Sequence, residues 1–88
     1  MRPRIYMVKP NRNMTVTVWF DDGKIKTFNA EPLAQRGGVY AKLYDEEFFV
    51  NRCVILNKTL AWDLSGSFDP DNCIDVCSDL IYNDLKLA

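Results

Sequence analysis

The clearest hydrophobic pattern in the chain runs from Met14 to Phe20, where Met14, Val16, Val18 and Phe20 alternate with Thr15, Thr17 and Trp19. A period of two is that of a strand with one buried face. Phe20-Asp21-Asp22-Gly23-Lys24 follows at once, and an Asp-Gly pair between strand-like runs predicts a tight reversal. Lys24 to Asn29 then returns as an antiparallel partner carrying Ile25, Thr27 and Phe28. Upstream, Ile5 to Val8 reads as a first strand that Lys9-Pro10-Asn11 brings to a stop, because proline lacks an amide donor.

The middle of the chain loses this alternation. Ala30 to Arg36 predicts a short helix with Pro32 in its first turn, Glu31 at its positive end and Gly37-Gly38 beyond it. Val39, Tyr40 and Leu43 are expected as core anchors, and Asp45-Glu46-Glu47-Phe48-Phe49 has the capping aspartate and early acids of one helical turn. A second hairpin is expected from Asn51 to Leu56 and from Thr59 to Leu64 around Asn57-Lys58, with Trp62 in the core. Ser65 to Asp71 is loop chemistry, Ile74-Asp75-Val76 an edge strand, and Ser78-Asp79 the cap of a last helix over Leu80 to Leu85. Trp19, among threonines, is either exposed or covered by a short helix.

The expected architecture is therefore α+β: a single two-layer domain over residues 1–88, with a mainly antiparallel meander sheet of about five strands and one to three short helices. A parallel sheet would need longer crossovers than a chain of 88 residues supplies.

The ordered set Phe20-Asp21-Asp22-Gly23, Asn29-Ala30-Glu31-Pro32-Leu33, Val39-Tyr40-Ala41-Lys42-Leu43, Phe48-Phe49, Thr59-Leu60-Ala61-Trp62-Asp63, Cys73-Ile74-Asp75-Val76 and Tyr82 resembles a small bacterial family of domains of unknown function, numbered 2442. The likeness runs from about Ile5 to Tyr82. The chain departs from it at Cys77-Ser78, where the family tends to carry Asp-Pro, so the last helix here is expected to start on a serine or aspartate cap. The resemblance implies a compact α+β domain without established enzymatic activity. Some relatives resemble the N-terminal part of proteins ending in a helix-turn-helix, and others are stand-alone chains encoded beside toxin-like proteins. An antitoxin-like or regulatory role is what that analogy implies.

Composition adds mainly exclusions. With no histidine, no Gly-rich phosphate loop and no Gly-x-Ser-x-Gly elbow, nucleophilic catalysis lacks its usual base, and a non-enzyme is expected. Cys53, Cys73 and Cys77 are an odd number, which disfavours a disulfide framework. Cys73-x-x-x-Cys77 has neither zinc-knuckle spacing nor a second pair. Asp69-x-Asp71 begins like a calcium loop, but Ile74 and Leu80 stand where its glycine and glutamate belong. No metal or cofactor is expected. No apolar run approaches the roughly 20 residues of a membrane span and the start lacks a secretory signal, so no membrane association and a cytoplasmic location are expected.

Charge changes the picture more. The net charge is -1, yet through Lys26 six basic residues oppose two acidic ones, whereas from residue 27 onward five face ten. The acidic portion suggests a basic protein partner, with Asp69, Asp71, Asp75 and Asp79 as its docking residues. The alternative is a nucleic-acid-binding regulator that uses Arg2, Arg4, Lys9 and Arg12. A monomer or small homo-oligomer fits either role.

Overall fold

The computed structural model describes residues 4–56, 58–67, 69 and 71–83. The strands are β1 (Ile5–Pro10), β2 (Thr15–Phe20), β3 (Ile25–Asn29), β4 (Cys53–Leu56), β5 (Thr59–Asp63) and β6 (Cys73–Val76). Helices α1 (Glu31–Ala34) and α2 (Glu46–Asn51) flank a 3-10 helix (Gly38–Tyr44), and α3 (Ser78–Tyr82) follows β6. The protein is thus α+β, but the expected single five-strand meander is replaced by two three-stranded antiparallel sheets, ordered β1-β2-β3 and β4-β5-β6. The cause lies in residues 30 to 52. Their helices part β3 from β4, so no tight hairpin joins the two meanders, and each pairs only within itself.

The β2–β3 reversal is a three-residue loop. The Gly23 amide donates to the Phe20 carbonyl at 3.1 Å and the Phe20 amide to the Lys24 carbonyl at 2.8 Å. Gly23 sits at φ 94°, a conformation that costs glycine nothing, and the Lys24 amide donates to Asp22 Oδ1 at 3.0 Å. In the second hairpin Leu56 pairs with Thr59; Asn57, part of that expected turn, lies outside the described residues. So does Leu85, the expected end of the last helix.

Both sheets turn one face to a shared core. Val16, Val18 and Phe20 on β2 and Leu60 and Trp62 on β5 are fully buried, joined by Leu33, Leu43, Phe49 and Ile81 from the helical segments. Trp62 also caps α2: its Nε1–H donates to the Phe49 carbonyl at 3.0 Å, and the two rings lie 5.3 Å apart. A terminal helical carbonyl has no assured partner within its helix, so this bond fixes where α2 meets β5.

Three local expectations are corrected. β1 continues through Pro10, which pairs with Val16 at the strand's last position, where a missing amide is tolerated on an edge. Val39 is 46% exposed, because a 3-10 helix aligns residues three apart: Leu43 is buried and Tyr40 half-buried, and Val39 points elsewhere. The N-cap of α3 is Cys77, with no side-chain cap bond, so Ser78 and Asp79 are its first helical residues and not its cap. By contrast, Asp45 caps α2, with Oδ1 accepting from the Glu47 amide at 3.1 Å.

α3 is tied to the first sheet through Tyr82. Its hydroxyl donates to Asp22 Oδ2 at 2.6 Å, its ring meets Phe20 edge-on at 5.1 Å, and the Lys24 ammonium lies 4.4 Å from the ring centroid. Opposite Val18 on the edge strand β3, Lys26 lies half-buried on the core side of the sheet.

Candidate functional site

The second sheet has a core face and an acidic face. On β5, Leu60 and Trp62 pair with Val76 and Ile74 toward the core, whereas Ala61 and Asp63 pair with Asp75 and Cys73 on the other side. Asp63 is completely buried, which a carboxylate tolerates only with partners. The Arg52 guanidinium lies 3.5 Å from its Oδ2, and Ser65 donates to its Oδ1 from both the amide (3.1 Å) and the hydroxyl (2.9 Å). This anchors the start of the loop that carries the other acids.

Within that loop the Asp71 amide donates to Asp69 Oδ1 at 2.9 Å and the Asn72 amide to the Asp69 carbonyl at 3.0 Å. Asp69, Asp71 and Asp75 are all exposed. The Cys73 thiol registers their proximity. Burial raises its pKa first, and the carboxylates of Asp75, Asp63, Asp69 and Asp71 raise it further. Three of the four predicted docking residues therefore lie on the loop and strand that flank Cys73, near enough for their charge to act on its thiol. Asp79 stands apart, half-buried in the first turn of α3, and is not among the carboxylates acting on Cys73.

The basic residues do not gather in the same way. Arg4, just before β1, and Lys9, within it, are both exposed, and the five residue steps between them span about 16 Å. Arg12, in the β1–β2 turn, pairs with Glu46 of α2 at 3.5 Å. Arg2 lies outside the described residues. A shallow depression lined by Arg12, Glu46, Glu47, Val50 and Asn51 adjoins this pair.

Sequence reasoning passed over Asp63 and Arg52. The available signal was an acid at the inner end of a strand with a serine two residues on, the spacing of a side-chain turn. Chemically the site is an anionic margin. The thiol of Cys73 is raised first by burial and then by the neighbouring carboxylates, and Cys53 on β4 is pushed up to about 12 by burial. A thiol at such a pKa is scarcely thiolate at neutral pH. Among the described residues, no group of three histidine, cysteine, aspartate or glutamate side chains is placed to hold a metal ion, and no helix is long and apolar enough to cross a membrane. Compared with protein-family models, with curated proteins and with solved structures, the chain gives no match to any of them.

Proposed function

We propose that the chain is a non-enzymatic, cytoplasmic protein-interaction domain that docks a basic protein partner on the acidic margin of its second sheet, in an antitoxin-like or regulatory role of the kind its resemblance to family 2442 implies. The observation that carries this reading is that Asp69 and Asp71, held in one turn by the bond from the Asp71 amide to Asp69 Oδ1, and Asp75 on the adjoining strand β6 are all exposed. Their summed field opens into solvent, where it steers a cationic surface and weakens once the screening length falls below about 10 Å near 0.1 M salt. Asp79, half-buried on the helix that follows β6, stands outside this cluster and is expected to add less to the docking than the other three. The strung-out Arg4 and Lys9 and the Glu46-paired Arg12 make the nucleic-acid reading weaker.

The test is affinity capture with the purified chain at low and high salt. Partners held at low salt should be lost at high salt and lost when Asp69, Asp71, Asp75 and Asp79 are all changed to asparagine. Retention of the same partners by that variant sinks the proposal. Gel-shift binding of nucleic acid that disappears in an Arg4, Lys9 and Arg12 triple-alanine variant, and not in the asparagine variant, moves the assignment to the alternative.

A further inference from the structure

We propose that the outward face of the first sheet is a homodimer interface, on which two copies stack face to face about a two-fold axis running along β2. The helical segments all anchor on the core side of this sheet, through Leu33, Leu43, Phe49 and Ile81. Its other face, among the described residues, is covered at one end by the Asn11 side chain, whose Nδ2 donates to the Thr15 and Thr17 hydroxyls, and is exposed around Met7 and Ile25. There the register sets Met7, Trp19 and Ile25 in one row across the three strands. Met7 is 44% and Ile25 59% exposed, with half-buried Trp19 between them. The irregularity between Ile5 and Met7 leaves Tyr6 as an extra residue on β1, so that Tyr6, 60% exposed, also faces solvent. Three large apolar side chains in register are a patch, unlike apolar residues scattered singly.

The arrangement of the row selects a second copy as occupant. An isologous contact requires that residue i meet j while j meets i. Reversing Met7–Trp19–Ile25 about β2 places Trp19 on its counterpart and an aliphatic side chain on an aliphatic side chain at each flank. The neighbouring row, Lys9–Thr17–Thr27, reverses equally well, since Lys9 falls on Thr27. The two Lys9 ammonium groups are then separated by two strand spacings, about 10 Å. An axis across the strands would instead set β1 on β1 and bring Arg4 and Lys9 of the two copies together, a like-charge contact. Two sheets of this kind pack with their strands about 30° apart, as natural twist dictates.

Size sets the strength. Strand spacing and rise make the face about 14 Å wide and about 17 Å long. With side-chain relief that amounts to roughly 500 Å² per copy, or about 1,000 Å² in all, the lower bound for a specific interface. The dimer is accordingly weak and reversible, and with no charge at its centre it responds little to salt.

Sedimentation of the purified chain from about 1 μM to about 1 mM tests this. The weight-average mass should rise from that of one 10.2 kDa chain toward twice that value, with little difference between low and high salt. Trp19 emission should move to the blue over the same range, and a Trp19→Phe variant, which keeps buried Trp62, should lose that shift. Met7→Asp and Ile25→Asp, at solvent-exposed positions, should each weaken association at least tenfold with an unchanged circular dichroism spectrum. Concentration-dependent amide shifts in the unaltered protein, centred on Met7, Trp19 and Ile25, give the same answer without relying on any variant's folding. A monomer throughout the range, species larger than a dimer, or self-association unaltered by both aspartates overturns the proposal. So do concentration-dependent amide shifts centred elsewhere.

Discussion

Replacing Trp62 with phenylalanine tests the joint between α2 and the second sheet. The indole is wholly buried, and its Nε1–H is the donor that reaches the Phe49 carbonyl at 3.0 Å. Phenylalanine leaves that carbonyl without this donor inside the core, at about 1–3 kcal/mol. The smaller ring also gives up buried area and opens a partial cavity, for roughly 1–2 kcal/mol more. The expected loss is about 3 kcal/mol, against a total stability of roughly 4–13 kcal/mol for a domain of this size. Urea unfolding followed by circular dichroism reads it directly: with a slope near 1 kcal/mol per molar, the midpoint should fall by about 2–3 M. Trp19→Phe serves as the comparison, because Trp19 is half-buried on the outward face, and its midpoint should move by less than about 1 M. If the Trp62 variant shifts less than the Trp19 variant, the assignment of Trp62 as the capping side chain fails.

Tyr82→Phe should raise the Asp22 pKa in a carboxyl-detected titration. The Tyr82 hydroxyl is the largest cause of its lowering, ahead of the Lys24 amide. Because that folded-state pKa lies below the unfolded value, its contribution to stability is present above the ordinary aspartate range and lost as pH falls through the folded pKa; the variant should lack that part of the acid sensitivity. Thiol labelling in the folded state should proceed in the order Cys77, Cys73, Cys53, since Cys77 is exposed, Cys73 is raised by burial and four carboxylates, and Cys53 is pushed up to about 12; Cys53 labelling first would contradict the packing of β4. Gly23→Ala meets no atom within 4 Å, so only backbone strain at φ 94° is at stake, and thermal unfolding should show a loss of about 1–2 kcal/mol, where no loss would contradict the described turn.

The elements legible in the sequence were those set by neighbours in the chain. The alternation over β2 assigned Val16, Val18 and Phe20 to the core, and Asp22-Gly23 placed the reversal, because both depend on a few adjacent residues. What local pattern does not encode is which strands become neighbours. The separation of β3 from β4 depends on how Leu33, Leu43 and Phe49 fill the space between the sheets, a property of the assembled core. The same limit applies to the candidate site. Asp69, Asp71 and Asp75 could be grouped from their spacing, whereas the pair of half-exposed Arg52 and buried Asp63 joins residues brought together by the β4–β5 hairpin, and Asp79 left the group once α3 began at Ser78.

Lys26 has a bearing on how molecules of this protein can meet. An incoming strand that zipped onto the rim of β3 would have to accommodate a lysine on the inward side of that edge, the kind of charge by which sheet edges resist pairing with another chain. The rim is therefore guarded against runaway ribbon growth, and contacts between copies are steered toward finite complexes in place of fibrils.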